Sequence, residues 1–263
     1  MINKNSIGLF DSGVGGTSIW RELIQLLPYE NTIYLADSKH APYGEKSKDE
    51  IICLSEKNTE FLLNKNAKII VVACNTATTN AIAHLRAKYN VPFIGIEPAI
   101  KPAALQTISG AVGILATKGT LSSELFDITK GKFAKNIDVV EQVGEGLVEM
   151  IESGQMETEN MKDLLKKYLK PMIEKQVDYL ILGCTHYPYL IPQIKQIVPE
   201  SLKIIDSGEA VARQTYQVLS KNYLLNTQDV VGKHLLFSNS NAEVLKHLLK
   251  DVKGDVTIEN LDF

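Results

Sequence analysis

Along this chain, short apolar runs rich in β-branched residues alternate with segments whose apolar positions recur every three or four residues, the pattern of strands feeding helices in a parallel α/β sheet. Ser6 to Phe10 reads as a strand ending at the hexapeptide DSGVGG, and Ser18 to Leu27 as the helix after it, closed by Pro28. Thr32 to Ala36 predicts a second strand and Glu50 to Asn64 a second helix. Ala67 to Ala73 predicts a third, largely buried strand that runs into CNTATT and a helix from Asn80 to Lys88; Val91 to Ile96 predicts a fourth strand.

The same order then repeats. Ala111 to Ala116 predicts a strand ending in TKGTLSS, a long helix is expected from Gly146 and another from Met161, and Tyr179 to Leu182 predicts a strand running into GCTHYP. IGLFDSG at Ile7 matches VGILATKG at Val112, 105 residues further on, and VVACNTA matches LILGCTH with the two cysteines 110 residues apart. Two matches this close to register are the trace of a duplicated α/β unit. They predict two pseudo-symmetric lobes with parallel sheets and put Cys74 and Cys184 at equivalent strand ends. A helix starts near Ile205 to Ala210 and Leu235 to Ser238 predicts one more strand, so the tail is expected to pack back on the first lobe. The expected division is 1–97 plus 207–263 for the first lobe and 98–206 for the second.

Composition narrows the function classes. With 263 residues, 44% hydrophobic and 22% charged, the chain has the make-up of a folded globular protein. A net charge of −3, with no basic cluster free of balancing acids, argues against a nucleic-acid partner. No apolar run approaches the ~20 residues of a bilayer span. The start, MINKNSIGLFDSG, has no signal-peptide apolar stretch, so a cytoplasmic protein is expected. Three cysteines, Cys53, Cys74 and Cys184, without short paired spacings, fit free thiols rather than a disulfide framework or a metal site.

In parallel α/β sheets, ligands bind beyond the C-terminal strand ends, where helix N-termini present free N–H groups. The polar motifs at Asp11-Ser12-Gly13, Cys74-Asn75-Thr76, Thr117 and Cys184-Thr185-His186 all fall there, and the loop Ala41-Pro42-Tyr43-Gly44 is placed to close over the same cleft. A lone strand-end cysteine reads as a small apolar core residue. Recurrence of the cysteine with polar neighbours in both halves reverses that reading. Two thiols facing each other across a carbon acid can invert it, one thiolate taking a proton from one face while the other thiol supplies one to the opposite face. This chemistry requires neither metal nor cofactor. Donors on Ser12, Asn75, Thr76 and Thr185 would hold the charge developing on an amino-acid carboxylate. His186 is placed to assist Cys184, and Asp11 to assist Cys74, bind an ammonium group or cap the first helix. Asp37 and Glu152 are further acid/base candidates, Glu152 reading equally well as a solvated helix charge. Cys53 and the remaining histidines read as structural or surface residues. The glycines of DSGVGG do not form a dinucleotide fingerprint, since Ser18 falls where the third glycine would be, and no Walker lysine follows.

At GLFDSGVGG, YLADSKHAPYG, VVACNTATT, FIGIEPAIKPA, GILATKGT, ILGCTHYPYL and IIDSGEA, spread over nearly the whole length, the chain resembles the glutamate racemases of the aspartate/glutamate racemase superfamily. The resemblance implies two flavodoxin-like lobes with the active site between them. It further implies cofactor-independent interconversion of L- and D-glutamate, supply of D-glutamate for peptidoglycan, and a homodimer. Carried over by motif, Cys74 and Cys184 are the acid/base pair, while Asp11, Ser12, Tyr43, Gly44, Asn75, Thr76, Thr185 and His186 contact substrate, with Pro42 and Thr117 beside them. Tyr189 stands where the pattern has leucine. Racemisation of another acidic amino acid such as aspartate, and a non-catalytic amino-acid binding protein of two α/β lobes, stay open at this point.

Overall fold

A computed structural model describes residues 5–263; the first four residues, part of the N-terminal segment and of the expected first lobe, lie outside the described residues. The chain forms two all-parallel sheets. The first contains β1 (Ile7–Asp11), β2 (Thr32–Ala36), β3 (Ile69–Val72) and β4 (Phe93–Gly95). The second contains β5 (Ala111–Ala116), β6 (Asp138–Val143), β7 (Tyr179–Gly183) and β8 (Lys203–Ile205). The tail returns β9 (Lys233–Ser238) and β10 (Asp255–Asn260) to the first sheet, whose order becomes β10-β9-β2-β1-β3-β4; the second runs β6-β5-β7-β8. In each, the opening strand lies between the second and third, with Ile7 opposite both Thr32 and Ile69, and Val112 opposite both Val139 and Tyr179. That is the flavodoxin-like order, and its switch point, where ligands bind, falls between β1 and β3 and again between β5 and β7.

Helices α1 (Thr17–Leu26), α2 (Lys48–Asn64), α3 (Asn75–Lys88) and α4 (Ile100–Gln106) follow the strands of the first sheet. A capping box between Ser47 and Glu50 starts α2, satisfying two otherwise unpaired N–H groups. The second sheet carries α5 (Lys118–Leu121), α6 (Glu124–Phe133), α7 (Leu147–Glu152), α8 (Glu159–Glu174) and α9 (Ile191–Ile194), followed by α10 (Gly208–Lys221) and α11 (Glu243–Leu248). Met161, Leu165, Tyr168, Leu169 and Met172 form one buried stripe on α8 at helical spacing.

Several boundaries differ from the sequence expectation. Helix α3 begins at Asn75, five residues early, because the Cys74 thiol caps it by accepting the Ala77 N–H at 3.4 Å. The helix expected to run long from Gly146 stops at Glu152, where Ser153 and left-handed Gly154 turn the chain. The edge strands β6, β8 and β10 are additional to the expectation, and the fourth strand spans only Phe93–Gly95. No helix among the described residues is long and apolar enough to cross a membrane.

Candidate active site

Each cysteine sits just beyond a buried strand, Cys74 after β3 and Cys184 after β7, and both line one narrow cavity. Its other walls are Ser12, Pro42, Tyr43, Gly44, Asn75, Thr76, Thr117, Val148, Thr185 and His186. The cavity between these walls has a volume of about 250 Å³. The cleft is narrow, and both thiols are nearly hidden, at 4% and 6% exposed. Cys53 lies exposed on α2, outside the cavity.

The first sheet supplies one side. Cys74 Sγ lies 3.7 Å from Ser12 Oγ, and Asp11 stands directly behind this pair, fully buried. The Asp11 carboxylate accepts the Gly16 N–H at 2.6 Å, tightening the turn before α1, and the Thr185 hydroxyl from across the cleft at 3.3 Å. Burial pushes the Cys74 thiol well above its ordinary range and the neighbouring Asp11 charge adds to this, only partly offset by the Ala77 N–H and Ser12. Burial likewise raises Asp11, against the opposing pull of His186 and the Gly16 N–H.

The second sheet supplies the other side. His186 Nδ1 is 3.7 Å from Cys184 Sγ, and its Nε2 is 2.6 Å from Glu152 Oε1. Burial opposes charge on this imidazole, but Cys184 and the Glu152 carboxylate outweigh it and hold His186 well above its usual range. Burial would also raise Glu152, yet His186, the Ser38 hydroxyl and the Val14 N–H together hold its carboxyl below the ordinary value. Glu152 is thus a half-buried, fully bonded carboxylate rather than a solvated helix charge, accepting Val14 N–H at 2.6 Å and Ser38 Oγ at 2.7 Å on the opposite lobe. A Cβ on Gly13 would fall 1.9 Å from Glu152 Oε1, so any side chain there displaces the carboxylate from these bonds.

Asp37 does not reach the cavity. Its carboxylate accepts the Tyr43 hydroxyl and the Asn239 amide and pairs with His40 Nδ1 at 2.6 Å, so it fixes the Tyr43 wall from behind. Asp11 and Glu152 also stand one layer back, and Asp11 precedes the first helix without occupying its N-cap, which is Gly16. Val148 is a lining residue that the motifs did not single out; among the buried apolar residues of α7 its pattern is that of core.

The polar inventory suits a small zwitterion. Both side-chain amide atoms of Asn75 are buried without a partner among the described residues, leaving a donor and an acceptor for a ligand at the cavity wall. Thr76 Oγ1 meets Thr117 Oγ1 at 2.8 Å across the cleft, hydroxyls that can turn to a carboxylate. Among the described residues no grouping of three or more His, Cys, Asp or Glu side chains is placed to hold a metal ion.

A family model described as Asp/Glu/Hydantoin racemase matches residues 11–215. The chain is 50% identical over 223 residues to a glutamate racemase of Ectopseudomonas mendocina, covering 84% of this chain and 85% of that protein. Its fold superposes on a glutamate racemase isoform of Bacillus anthracis with a TM-score of 0.86 at 30% identity, covering 99% of this chain and 98% of the other. It is similarly close to the Escherichia coli glutamate racemase in complex with L-glutamate and the activator UDP-MurNAc-Ala, with a TM-score of 0.85, 33% identity and 98% coverage of both chains. By the family match, the close relatives and the paired sheets that bring two thiols into one cleft, this chain belongs to the Asp/Glu/Hydantoin racemase family.

Proposed function

We propose that this chain is a glutamate racemase that interconverts L- and D-glutamate with Cys74 and Cys184 as the two bases, one on each face of the α-carbon. The observation that carries the reading is that both thiols line a single cavity from equivalent strand ends of two sheets that share the order of four strands, β2-β1-β3-β4 and β6-β5-β7-β8. One sulfur, as thiolate, takes the α-proton: an S–H bond forms, the C–H bond breaks, and the electron pair moves onto the α-carbon and its carboxylate. The opposite thiol then gives its proton to the other face of the same carbon. The thiols end with their protonation exchanged, so the reverse reaction starts from that state.

The physical obstacle is charge. An amino-acid carboxylate must accept a second negative charge as the carbon is deprotonated; in this reading Asn75 and Thr76 donate to it, joined by Ser12 and Thr185 when their hydroxyls turn from Asp11. The cleft is narrow and its two cysteines are buried, and the low polarisability around them strengthens each of these interactions. The charged imidazole beside Cys184 supplies the counter-charge that a thiolate there needs during turnover, while Asp11 stands behind Cys74. Asp37 serves in this scheme by fixing Tyr43.

The same reading divides the chain into lobes of residues 1–97 plus 207–263 and 98–206, and within the first lobe the Ser207 hydroxyl donates to the Glu97 carbonyl at 2.5 Å beside the two chain crossings. It includes a homodimer working in the cytoplasm and supplying D-glutamate for peptidoglycan. The deciding experiment follows ellipticity with L- or D-glutamate, and separately with aspartate, with no cofactor added. Loss of optical activity with glutamate is expected; faster turnover of aspartate would transfer the assignment to that substrate, and no turnover of either would overturn it.

A further inference from the structure

Behind the Cys184 wall, Tyr189 reaches across to the opposite lobe, and its hydroxyl lies 2.6 Å from Thr17 Oγ1 at the first position of α1. Thr17 is fully buried and its own hydroxyl proton goes to the Val14 carbonyl at 2.5 Å. Since a hydroxyl carries one proton, Tyr189 is the donor in the cross-lobe bond. Val14, whose carbonyl Thr17 holds, donates its own N–H to Glu152, which in turn binds His186. A second connection closes the loop: the Tyr189 N–H donates to the His186 carbonyl at 3.2 Å. Beside it, the Ser18 hydroxyl donates to the Thr185 carbonyl at 2.9 Å. There is little slack in this seam, because a Cβ on Gly15 would fall 2.3 Å from His186 Nδ1.

We infer that Tyr189 is a positioning residue: through Thr17, Val14 and Glu152 its hydroxyl fixes the His186 imidazole against Cys184, and so fixes the Cys184 face of the cleft relative to the lobe that carries Cys74. The role rests on the two-thiol racemase reading given above, and none of the motif chemistry accounts for the Tyr189 hydroxyl. A leucine at this place would fill space without reaching Thr17, so the bond is a device of the Tyr–Thr pair. Tyr189 and Thr17 do not line the cavity, so the tether acts on geometry and not on substrate.

The test compares Tyr189→Phe, Thr17→Val and the double variant with the parent in two assays. In the first, hydrogen exchange read by mass spectrometry follows segments 13–18 and 185–190; both are expected to exchange faster in each single variant, and no further in the double. This assay reads the tether whatever the substrate. In the second, kcat for glutamate is expected to fall about tenfold in either single variant, on the scale of small misplacements of reacting groups, with KM changed much less and the double variant no worse than a single. With α-deuterated substrate, the primary isotope effect should rise for the enantiomer that Cys184 deprotonates and not for the other, a signature that general loosening of the fold would not give. Unchanged exchange in both segments, unchanged kcat, additive losses, or equal isotope effects with the two enantiomers would overturn the positioning role. Absence of glutamate turnover in the parent would instead overturn the racemase reading, with hydrogen exchange still deciding the tether.

Discussion

Replacing Glu152 with Gln removes one charge while keeping the side chain's shape, and the structure sets the consequence. The carboxylate accepts three bonds, from Val14 N–H at 2.6 Å, Ser38 Oγ at 2.7 Å and His186 Nε2 at 2.6 Å. An amide retains an acceptor for one or two of these, but it no longer offers His186 a counter-charge. Burial opposes charge on His186, so with the carboxylate gone its proton affinity falls. A hydrogen bond to a charged group contributes about 1.5–3 kcal/mol, which corresponds to a loss of about 10- to 150-fold in kcat/KM if the whole effect reaches the transition state. The loss must be equal for L- and D-glutamate, because the enantiomers have equal free energy and the ratio of the two kcat/KM values is fixed at one. The pH dependence carries the sign. In the parent, His186 is held well above its usual range and stays protonated through neutral pH; in Glu152→Gln it loses its proton at lower pH. The ratio of variant to parent activity should therefore decline as pH rises from acid through neutral. Ellipticity assays across pH with both enantiomers supply the ratio. A ratio independent of pH, or one rising with pH, would refute the coupling of Glu152 to His186.

Cys74→Ala and Cys184→Ala should each lower kcat by about 10²- to 10⁴-fold or more, the usual contribution of a positioned acid or base, with far-ultraviolet circular dichroism unchanged; near-parental turnover in either would remove that thiol from the scheme. Gly13→Ala puts a Cβ 1.9 Å from Glu152 Oε1, so racemisation should fall by at least about tenfold, on the scale of a small misplacement at the site, while unchanged kinetics would show that the loop yields freely. Glu152 and His186 also predict a stability profile. The depressed Glu152 contribution is lost as pH falls through its folded value, and the raised His186 contribution is lost as pH rises through its folded value. Urea unfolding at several pH values should show the parent's advantage over His186→Asn shrinking as the solution becomes alkaline; an advantage that grows there would contradict the assignment. Leu165→Ala, in the fully buried stripe of α8, should cost about 2–5 kcal/mol and lower Tm by roughly 5–15 °C without changing kcat at 25 °C, measured by thermal unfolding and activity together.

The strands that carry the site were readable because they are buried on both faces: β1, β3, β5 and β7 are apolar runs that end in polar motifs. Of the four edge strands, β6, β8 and β10 were not, and only β4 was. In β6 the run DVVEQV is half exposed and mixes charge with valine, and β8 has only three residues, so neither carries a periodic signal. The short α7 looked long because its apolar positions continue the helical spacing, while what ends it is a backbone turn at Gly154. Within the site, every lining residue except Val148 lies in a motif that could be named from the sequence, since donors and thiols at strand ends have a recognisable chemistry. Depth in the layers was not legible. Whether an acidic side chain faces the cavity or stands behind a wall depends on contacts between distant segments, such as Asp37 with Asn239 and Glu152 with Val14 and Ser38. No local pattern records these.

Two facing thiols make an isotopic prediction that one mobile base cannot mimic. L-glutamate is incubated with the enzyme in deuterium oxide and sampled while conversion is still small, and each enantiomer is then separated and its α-position read by mass spectrometry. D-glutamate is expected to carry solvent deuterium at the α-carbon while the remaining L-glutamate is still protiated. Product that retains the original hydrogen would contradict it, since the proton would then have been carried across by a single group.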